Sequence, residues 1–392
     1  MPRSAWILFA GSFVNRLGTF VLPFLTLYLT KKGYSAPQAG LAIAGYGLGG
    51  IVSQAVGGLL ADRFGRRDAI TTSMFAAAGL TLILWRAGSL AVIYPVMVAL
   101  GATAELYRPA AAALIADLVP SAQRVTAFTL YRLAVNVGWA CGLALGGFLA
   151  VHSFDWLFVG DAMTSAGFGV IAAILLPHGV RTARHEEPER SSATRSILAD
   201  RGYLLFLAAV FLTAAVYAQN VSTLPLHIRE AGFAPSTYGL LQALNGIIVV
   251  VFELPVTAWT QHRSRTRMVA LGQVLIGLAF LSLIAADTVP TLLAMVVVWT
   301  LGEMVESPVA SAYAADRAPE HARGRYQSAY GGMFGLAWML GPVIGTTVYA
   351  SSPGVLWLGC GVVGVVAAAL ALAAGRQPVP EHASLAVDAA AT

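Results

Sequence analysis

The sequence predicts an all-α membrane protein with twelve transmembrane helices in two related six-helix bundles. Of its 392 residues, 57% are hydrophobic and 11% are charged, whereas about a quarter of the residues in soluble proteins are charged. Apolar segments long enough to cross a bilayer, about 20 residues each, fill most of the chain. The second half also repeats the residue pattern of the first. These three observations together predict the fold class.

The apolar segments form two sets of six around a polar stretch. The first set covers residues 5–29, 37–60, 68–86, 90–115, 127–150 and 155–177. The second set covers residues 202–226, 236–260, 268–286, 290–314, 326–350 and 354–375. We number them segments 1 to 12. The predicted domains are an N-terminal bundle at 1–177, a cytoplasmic linker at 178–200, a C-terminal bundle at 201–376 and a cytoplasmic tail at 377–392.

A fixed offset of 199 residues relates the two halves. Aligned without a gap, residues 109–146 and 308–345 share seven identical proline, glycine, tyrosine and charged residues. These are Pro109/Pro308, Asp117/Asp316, Pro120/Pro319, Arg124/Arg323, Tyr131/Tyr330, Gly142/Gly341 and Gly146/Gly345. The offset also takes Gly33 to Gly232 and Gly40 to Gly239. Parallel six-helix repeats joined by a linker are typical of transporters whose halves rock around a central site.

The positions of the basic residues predict the orientation in the membrane. If the N-terminus is cytoplasmic, most arginines fall in inward-facing loops and the linker, and the outward loops hold Lys31, Lys32, Arg86 and Arg229. Cytoplasmic loops carry the excess of Lys and Arg, so we expect a bacterial-type inner-membrane protein with both termini in the cytoplasm. The net charge of +5 then reflects topology, and no nucleic-acid partner is expected.

Several site classes lack support in the sequence. The two cysteines lie inside apolar segments, which excludes a disulfide framework. The seven histidines have no metal-ligand spacing, and there is no phosphate-binding glycine loop with its lysine. We therefore expect no metal, no cofactor, no ATP-driven step and no enzymatic activity.

The loop between segments 2 and 3 carries a charged glycine motif. It follows the pattern G-xxx-D-R-x-G-R-R, formed by Gly58, Asp62, Arg63, Gly65, Arg66 and Arg67. This motif resembles the signature of the major facilitator superfamily, and the resemblance covers nearly the whole chain. It implies two pseudo-symmetric bundles that work by alternating access. The equivalent stretch in the second half, Gln261–Arg267, keeps the positive charge and lacks the acid.

Segment 5 carries a second motif, formed by Asn136, Gly138, Gly142, Gly146 and Gly147. It is similar to the glycine-rich motif of family members that export drugs in exchange for protons. Leu143 stands where that motif has proline, and Met97 stands where the export-type motif of segment 4 has arginine. The resemblance to the drug:proton antiporter-like branch is therefore partial.

Ionisable side chains near the middle of a span are costly and point to function. Three are present: Arg16 in segment 1, Glu105 in segment 4 and Glu303 in segment 10. Arg108 and Glu306 lie three residues further along, on the same helical faces. The resemblance implies that segments 1, 4, 7 and 10 line one central cavity, which would gather these groups around one space.

The two pairs are expected to behave differently. Arg108 favours the charged form of Glu105, whereas two neighbouring acids disfavour each other's charge. We therefore expect one of Glu303 and Glu306 to exchange a proton near neutral pH. The predicted proton-coupling residues are Glu303, Glu306 and Glu105, and Arg16 with the Glu105–Arg108 pair is predicted to orient substrate or counter-charge. The alternative is that these groups are buried ion pairs that fix helix packing.

Neutral polar side chains complete the predicted substrate cavity. Tyr217 and Asn220 lie in segment 7, and Gln242 and Asn245 lie in segment 8. They can hydrogen-bond a substrate or bond across helices instead.

The predicted gating residues lie at the inward ends of the segments. They are Asp62, Arg63, Gly65, Arg66, Arg67, Asp117, Arg124, Arg132, Glu253, Asp316 and Arg323. The resemblance implies that Asp62 sits against the positive N-terminal end of segment 11, while Arg66 and Arg67 pair with inward-facing acids. Arg132 is either a gate contact or an interfacial arginine.

The sequence thus predicts a secondary transporter for proton-coupled export of a small amphipathic compound. One alternative is an uptake symporter for a polar or anionic solute, held by Arg16 and Arg108. Another is a membrane sensor that transports nothing, which would need sizeable soluble segments. The expected partners are a small-molecule substrate, protons and the lipid bilayer, and the expected state is a monomer.

Overall fold

Helices account for all regular structure in the described part of the chain. The computed structural model describes residues 1–120, 123–177, 196–319 and 323–377, with the side chains of 54–64, 125 and 323 left out. Within these ranges, eleven helical stretches are long and apolar enough to cross a membrane. An all-α protein with many candidate spans was predicted, and the structure confirms that prediction.

The helices follow the predicted segments closely. Those of the first half are α1 (Arg3–Leu17), α2 (Val21–Lys31), α3 (Ala36–Phe64), α4 (Arg66–Arg86), α5 (Leu90–Ala104), α6 (Tyr107–Leu118), α7 (Arg124–His152) and α8 (Asp155–Leu175). Those of the second half are α9 (Arg201–Tyr217), α10 (Gln219–Ser222), α11 (Leu224–Glu230), α12 (Pro235–Thr260), α13 (Arg265–Leu281), α14 (Val289–Arg317), α15 (Arg323–Ser351) and α16 (Pro353–Ala374), with a short 3₁₀ turn at Ser282–Ile284.

Three segments that were predicted as single helices are broken near their middle. Segment 1 divides into α1 and α2, segment 4 into α5 and α6, and segment 7 into α9, α10 and α11. A proline follows each break: Pro23, Pro109 and Pro225. Proline has no N–H, and its ring crowds the carbonyl four residues earlier, so the preceding helix ends there. Pro308, the repeat partner of Pro109, lies inside the continuous helix α14.

The repeat extends to backbone conformation. Gly33 and Gly232, which are 199 residues apart, have φ angles of 91° and 87°, a region that residues with a side chain rarely adopt. Gly65 has φ of 95° before α4, whereas its repeat partner Ser264 has φ of −58° before α13. Two of these turns are therefore copies, and the turn of the charged motif is particular to the first half.

The chain forms two compact units. The first comprises residues 1–185, 220–250 and 342–350, and the second comprises 186–219, 251–341 and 351–392, within the described ranges given above. The predicted boundaries of two sequential six-helix bundles stay a prediction. In the first unit, a core built on Leu8, Ile70, Leu114 and Phe168 joins α1, α4, α6 and α8. This core holds α1 and α8 in fixed positions beside a cavity described below.

Two helix crossings in the first unit are copies of each other. At one, Gly40 of α3 meets the Pro342 carbonyl of α15, and at the other, Gly239 of α12 meets the Leu143 carbonyl of α7. A Cβ added at either glycine would lie less than 3 Å from that carbonyl oxygen. The offset of 199 relates Gly40 to Gly239 and Leu143 to Pro342, so each half supplies one glycine and one carbonyl.

Candidate functional site

A polar cavity of about 40 Å³ lies in the first unit, beside the break in segment 4. Glu105, which follows the last residue of α5, accepts hydrogen bonds from the Tyr46 hydroxyl at 3.0 Å and from Arg108 Nη1 at 2.9 Å. Arg16 Nη2 lies 3.9 Å from Glu105 Oε1. The structure therefore brings together Arg16, Glu105 and Arg108. With two cations and a hydroxyl around it, the carboxylate of Glu105 is well compensated.

Glycines on α7 position Arg16. A Cβ added at Gly142 would lie 2.5 Å from the Leu17 carbonyl oxygen, and one added at Gly138 would lie 3.1 Å from Arg16 Cβ. The two helices are therefore in backbone contact at the end of α1, where small residues allow close approach. The Arg16 guanidinium lies 5.7 Å from the centroid of the Tyr107 ring. Its Nε atom is buried and has no hydrogen-bond partner among the described residues.

An acid that the sequence analysis did not single out lines the same cavity. Asp161 of α8 accepts the backbone N–H of Val21, the first residue of α2, at 3.2 Å. Next to it, Asn15 Nδ2 donates to Ser165 Oγ at 3.3 Å. Asp161 lies about a turn and a half inside segment 6, away from the middle of the span, and it is therefore not among the ionisable residues predicted from a position near mid-span.

The second unit contains a larger cavity of about 190 Å³. Glu303 and Glu306, one turn apart on α14, both line it. The Tyr217 hydroxyl donates to Glu303 Oε1 at 3.4 Å. The rest of the wall is rich in aromatic side chains, contributed by Tyr217, Tyr330, Phe334 and Trp338. Two acids and four aromatic rings therefore share one space.

Glu306 is also held from the neighbouring helix α13. Gln273 Nε2 donates to Glu306 Oε1 at 3.2 Å, and both residues are buried. A Cβ added at Gly272 would lie 2.6 Å from the Gly302 carbonyl oxygen, so the two helix backbones touch beside this contact. Gln273 Oε1 has no hydrogen-bond partner among the described residues. Gln273 is not among the predicted site residues, because it is a single neutral residue in a segment that the resemblance does not place at the cavity.

The other predicted cavity residues lie in the first unit. Asn220 and Gln242 bond each other through both of their amide groups, and the Tyr238 hydroxyl donates to the Asn220 carbonyl at 3.2 Å. Asn245 is 7% exposed. These contacts favour helix bridging for Asn220. A substrate contact for Asn220 or Asn245 stays a prediction.

Each half contains an ion pair that includes predicted gating residues, although Arg265 itself was not predicted as one. Arg66 pairs with Asp117, and Arg265 pairs with Asp316. Arg67 Nε instead lies 3.0 Å from Asp68 Oδ1, its neighbour in the chain. Gly65 supplies the turn before α4.

The remaining predicted gating residues lie on several helices. Arg124 Nε donates to the Val119 carbonyl at 3.3 Å. Arg132 lies in α7 and Glu253 in α12. The side chains of Asp62, Arg63 and Arg323 lie outside the described residues. The gating roles stay predictions.

A buried ion pair in the second unit was not expected from the sequence. Asp200, at the predicted end of the linker, is 1% exposed and accepts the Tyr203 N–H at 2.9 Å at the start of α9. Arg317 donates to both of its carboxylate oxygens over 2.7–3.0 Å. The Tyr326 hydroxyl donates to the same carboxylate at 3.4 Å. Residue 200 is thus part of the packed second unit.

The two cavities differ in what they can hold. A space of about 40 Å³ with polar walls has room for a few water molecules, each of which needs several polar partners. A space of about 190 Å³ with aromatic walls has room for part of a small amphipathic molecule. Within the described residues, no three His, Cys, Asp or Glu side chains are grouped so that they could bind a metal ion.

Comparison with known proteins agrees with this architecture. The model of the family described as Major Facilitator Superfamily matches residues 8–234 and 205–390. The MFS-type transporter YqjV of Bacillus subtilis (strain 168) is 27% identical over 349 residues, 87% of this chain and 85% of that protein. The multidrug resistance protein MdtH of Klebsiella pneumoniae (strain 342) is 25% identical, over 89% of both chains. A Na⁺, Li⁺, K⁺/H⁺ antiporter of Planococcus maritimus is 23% identical, over 95% of this chain and 94% of that one.

Solved structures share the fold at lower sequence identity. A POT family transporter in complex with 5-aminolevulinic acid superposes with a TM-score of 0.80 at 15% identity, over 95% of this chain and 96% of that one. The nucleoside transporter NupG superposes with a TM-score of 0.80 at 14% identity, over 95% of this chain and 100% of that one. At these identities the likeness concerns the fold alone.

Proposed function

Because the chain belongs to the major facilitator superfamily, we propose that it is a secondary active transporter that exports a small amphipathic compound in exchange for protons. In this proposal twelve helices form two pseudo-symmetric six-helix bundles and expose a central site to each side of the membrane in turn. Helix α3 (Ala36–Phe64) is the twelfth span, in addition to the eleven described above.

The observation that carries the proposal is the cavity of the second unit. It places Glu303 and Glu306 among four aromatic rings. Carboxylates attract positive charge, and aromatic faces bind both apolar groups and cations. The cavity therefore favours an amphipathic compound that carries a positive charge, and the same carboxyls can bind protons. Competition between substrate and protons for one pair of acids provides a route to exchange.

The relatives named above support export. MdtH is named for multidrug resistance, and the Planococcus maritimus protein is named as an antiporter that exchanges monovalent cations for protons. Both match this chain over nearly its whole length, so the similarity is not limited to one part of the protein. Their substrates are their own, and for this chain we retain the broader class of small amphipathic compounds.

We assign separate roles to the two cavities. Glu303 and Glu306 carry the exchanged proton. A polar wall that orients substrate or counter-charge is formed by Arg16, Glu105 and Arg108. Glu105 takes part in proton coupling because its negative charge is balanced by the two arginines. The contacts of Glu105 with Arg108 at 2.9 Å and with Arg16 at 3.9 Å support the second role, because they compensate the carboxylate.

The proposal includes a location and a state. The protein is a monomer in a bacterial-type inner membrane, with its N- and C-termini in the cytoplasm. The support is the distribution of arginines between inward and outward loops. In this orientation, the Arg66–Asp117 and Arg265–Asp316 pairs lie at the cytoplasmic ends of their helices and serve as gate contacts.

One alternative is proton-coupled uptake of a polar or anionic solute. The buried Nε of Arg16, which has no hydrogen-bond partner among the described residues, favours it, because a carboxylate or phosphate could accept from that atom. A membrane sensor that transports nothing has less support, since two relatives matched over most of their length are named as an MFS-type transporter and an antiporter.

Ethidium, a fluorescent amphipathic cation, tests the proposal. Cells that express the protein are loaded with ethidium, and its efflux is followed by fluorescence. We expect faster efflux than in cells without the protein, and we expect a proton ionophore to abolish the difference. Accumulation of a dipeptide or nucleoside driven by external acid, without ethidium efflux, would instead establish uptake.

A further inference from the structure

Asp161 of α8 is an acid inside a membrane-spanning helix, and no ion-pair partner accompanies it among the described residues. The backbone N–H of Val21 donates to its Oδ2 at 3.2 Å, and the Phe20 N–H and the Ser165 hydroxyl also donate to the carboxylate. A carboxylate that is removed from water without an ion pair is costly, and such a group can exchange its charge for a proton instead. Asp161 therefore differs from Glu105, which lines the same cavity and has two arginines beside it.

The charged and titratable groups that face this cavity come from several helices. They are Arg16 from α1, Tyr46 from α3 and Glu105 at the end of α5, whereas α4 contributes the neutral Met74, Ala77 and Thr81. Arg108 of α6 joins this cluster through its hydrogen bond to Glu105. Arg108 lies 2.9 Å and Arg16 lies 3.9 Å from Glu105, so both cations are engaged there. A charged Asp161 makes this cluster neutral, and a protonated Asp161 leaves it with one positive charge.

Asp161 also lies at the break in segment 1. Val21 is the first residue of α2, so its N–H has no acceptor inside that helix. Asp161 supplies the acceptor from α8. A carboxylate at a helix N-terminus is favoured by the helix dipole, and a neutral carboxylic acid is favoured less. Binding of a proton to Asp161 therefore weakens the contact between α8 and the second part of the broken segment.

We propose that Asp161 is a proton-binding site of the first unit, separate from the Glu303–Glu306 pair of the second unit. The ligand is a proton that adds to a carboxylate oxygen of Asp161 and leaves to water in the cavity. Asn15, Ser165 and Arg16 line that cavity and can hold such water. The site goes beyond the proposed function, because its titration does not require any substrate to be transported.

Infrared difference spectroscopy tests the site directly. The purified full-length protein in liposomes is cycled between acidic and alkaline buffer, and the C=O stretching band of protonated carboxylic acids is recorded. We expect Asp161→Asn to remove one component of this band and Asp161→Glu to retain that component at a shifted frequency. Glu105→Gln is expected to leave the component in place. Asp155→Asn, at the exposed start of the same helix, is the matched control.

The outcomes separate this site from the proposed function. A band that Asp161→Asn leaves unchanged would overturn the proposal, as would loss of the same component in Glu105→Gln. If Asp161→Asn does not fold, the persistence or loss of the shifted component in Asp161→Glu decides the question. Failure of ethidium efflux in the unmodified protein would contradict the proposed export and leave the infrared result valid.

Discussion

Arg66 of α4 forms an ion pair with Asp117 of α6, and the same contact recurs 199 residues later between Arg265 and Asp316. The side chains of the first pair are 10% and 23% exposed, whereas those of the second are 42% and 60% exposed. One contact therefore exists in two environments within one chain. Because both pairs join an arginine to an aspartate, a difference in their contributions to stability would reflect their burial.

The first prediction concerns these pairs. Asp117→Asn removes the ion pair between Arg66 and Asp117 in a mostly buried place, which we expect to cost about 1.5–3 kcal/mol. Asp316→Asn removes an exposed pair and should cost about 0–1 kcal/mol. Thermal unfolding of both purified variants in detergent measures the difference. Equal losses of stability would contradict a role for burial.

The second prediction concerns the proton carrier. We expect Glu303→Gln and Glu306→Gln, together, to abolish ethidium efflux driven by a pH gradient, because neither amide can take up the exchanged proton. Ethidium binding, followed by fluorescence polarisation, should persist in the Glu303→Gln variant, since its aromatic wall is intact. Proton-driven efflux in a protein that carries both substitutions would rule out this pair as the carrier.

The third prediction concerns Gln273, which donates to Glu306 at 3.2 Å. Gln273→Met keeps a similar side-chain volume and removes the donor, so the hydrogen bond that favours the carboxylate is lost. We expect the pH midpoint of ethidium efflux to be displaced while ethidium still binds. Thr300→Val, a buried polar-to-apolar change on α14, is the control. An unchanged midpoint in Gln273→Met would mean that Gln273 only fills space.

The fourth prediction concerns the close contact behind Arg16. Gly142→Ala places a Cβ about 2.5 Å from the Leu17 carbonyl oxygen, and such overpacking costs about 1–3 kcal/mol. Gly167→Ala in α8 meets nothing within 4 Å and should gain about 0.5–1 kcal/mol from the lower flexibility of the unfolded chain. We expect the unfolding temperature to fall in Gly142→Ala and to rise in Gly167→Ala. A destabilised Gly167→Ala variant would contradict this explanation.

The repeat was the part of the fold that the sequence predicted best. Turn glycines and prolines keep their spacing because the backbone requires them, and Gly33 and Gly232 accordingly share a positive φ. The breaks in segments 1, 4 and 7 were not predicted. A proline near the middle of a segment permits either a break or continuation, as Pro109 and Pro308 demonstrate, and neighbouring helices decide between them.

The candidate site was predicted in part. Arg16, Glu105 and Arg108 come together because charged groups inside spans need partners. Asp161, Gln273 and the Asp200 contact with Arg317 were missed. Each of these depends on which helices become neighbours, and that information is spread over the whole chain.

The two glycine crossings of the first unit have a consequence for transport. Gly40 of α3 meets Pro342, and Gly239 of α12 meets Leu143, with no room for a side chain at either place. In the proposed alternating access, both contacts would have to separate when the protein opens at these crossings, and both would have to form again when it closes. A single bulky residue at Gly40 or Gly239 should therefore be as disabling as both together.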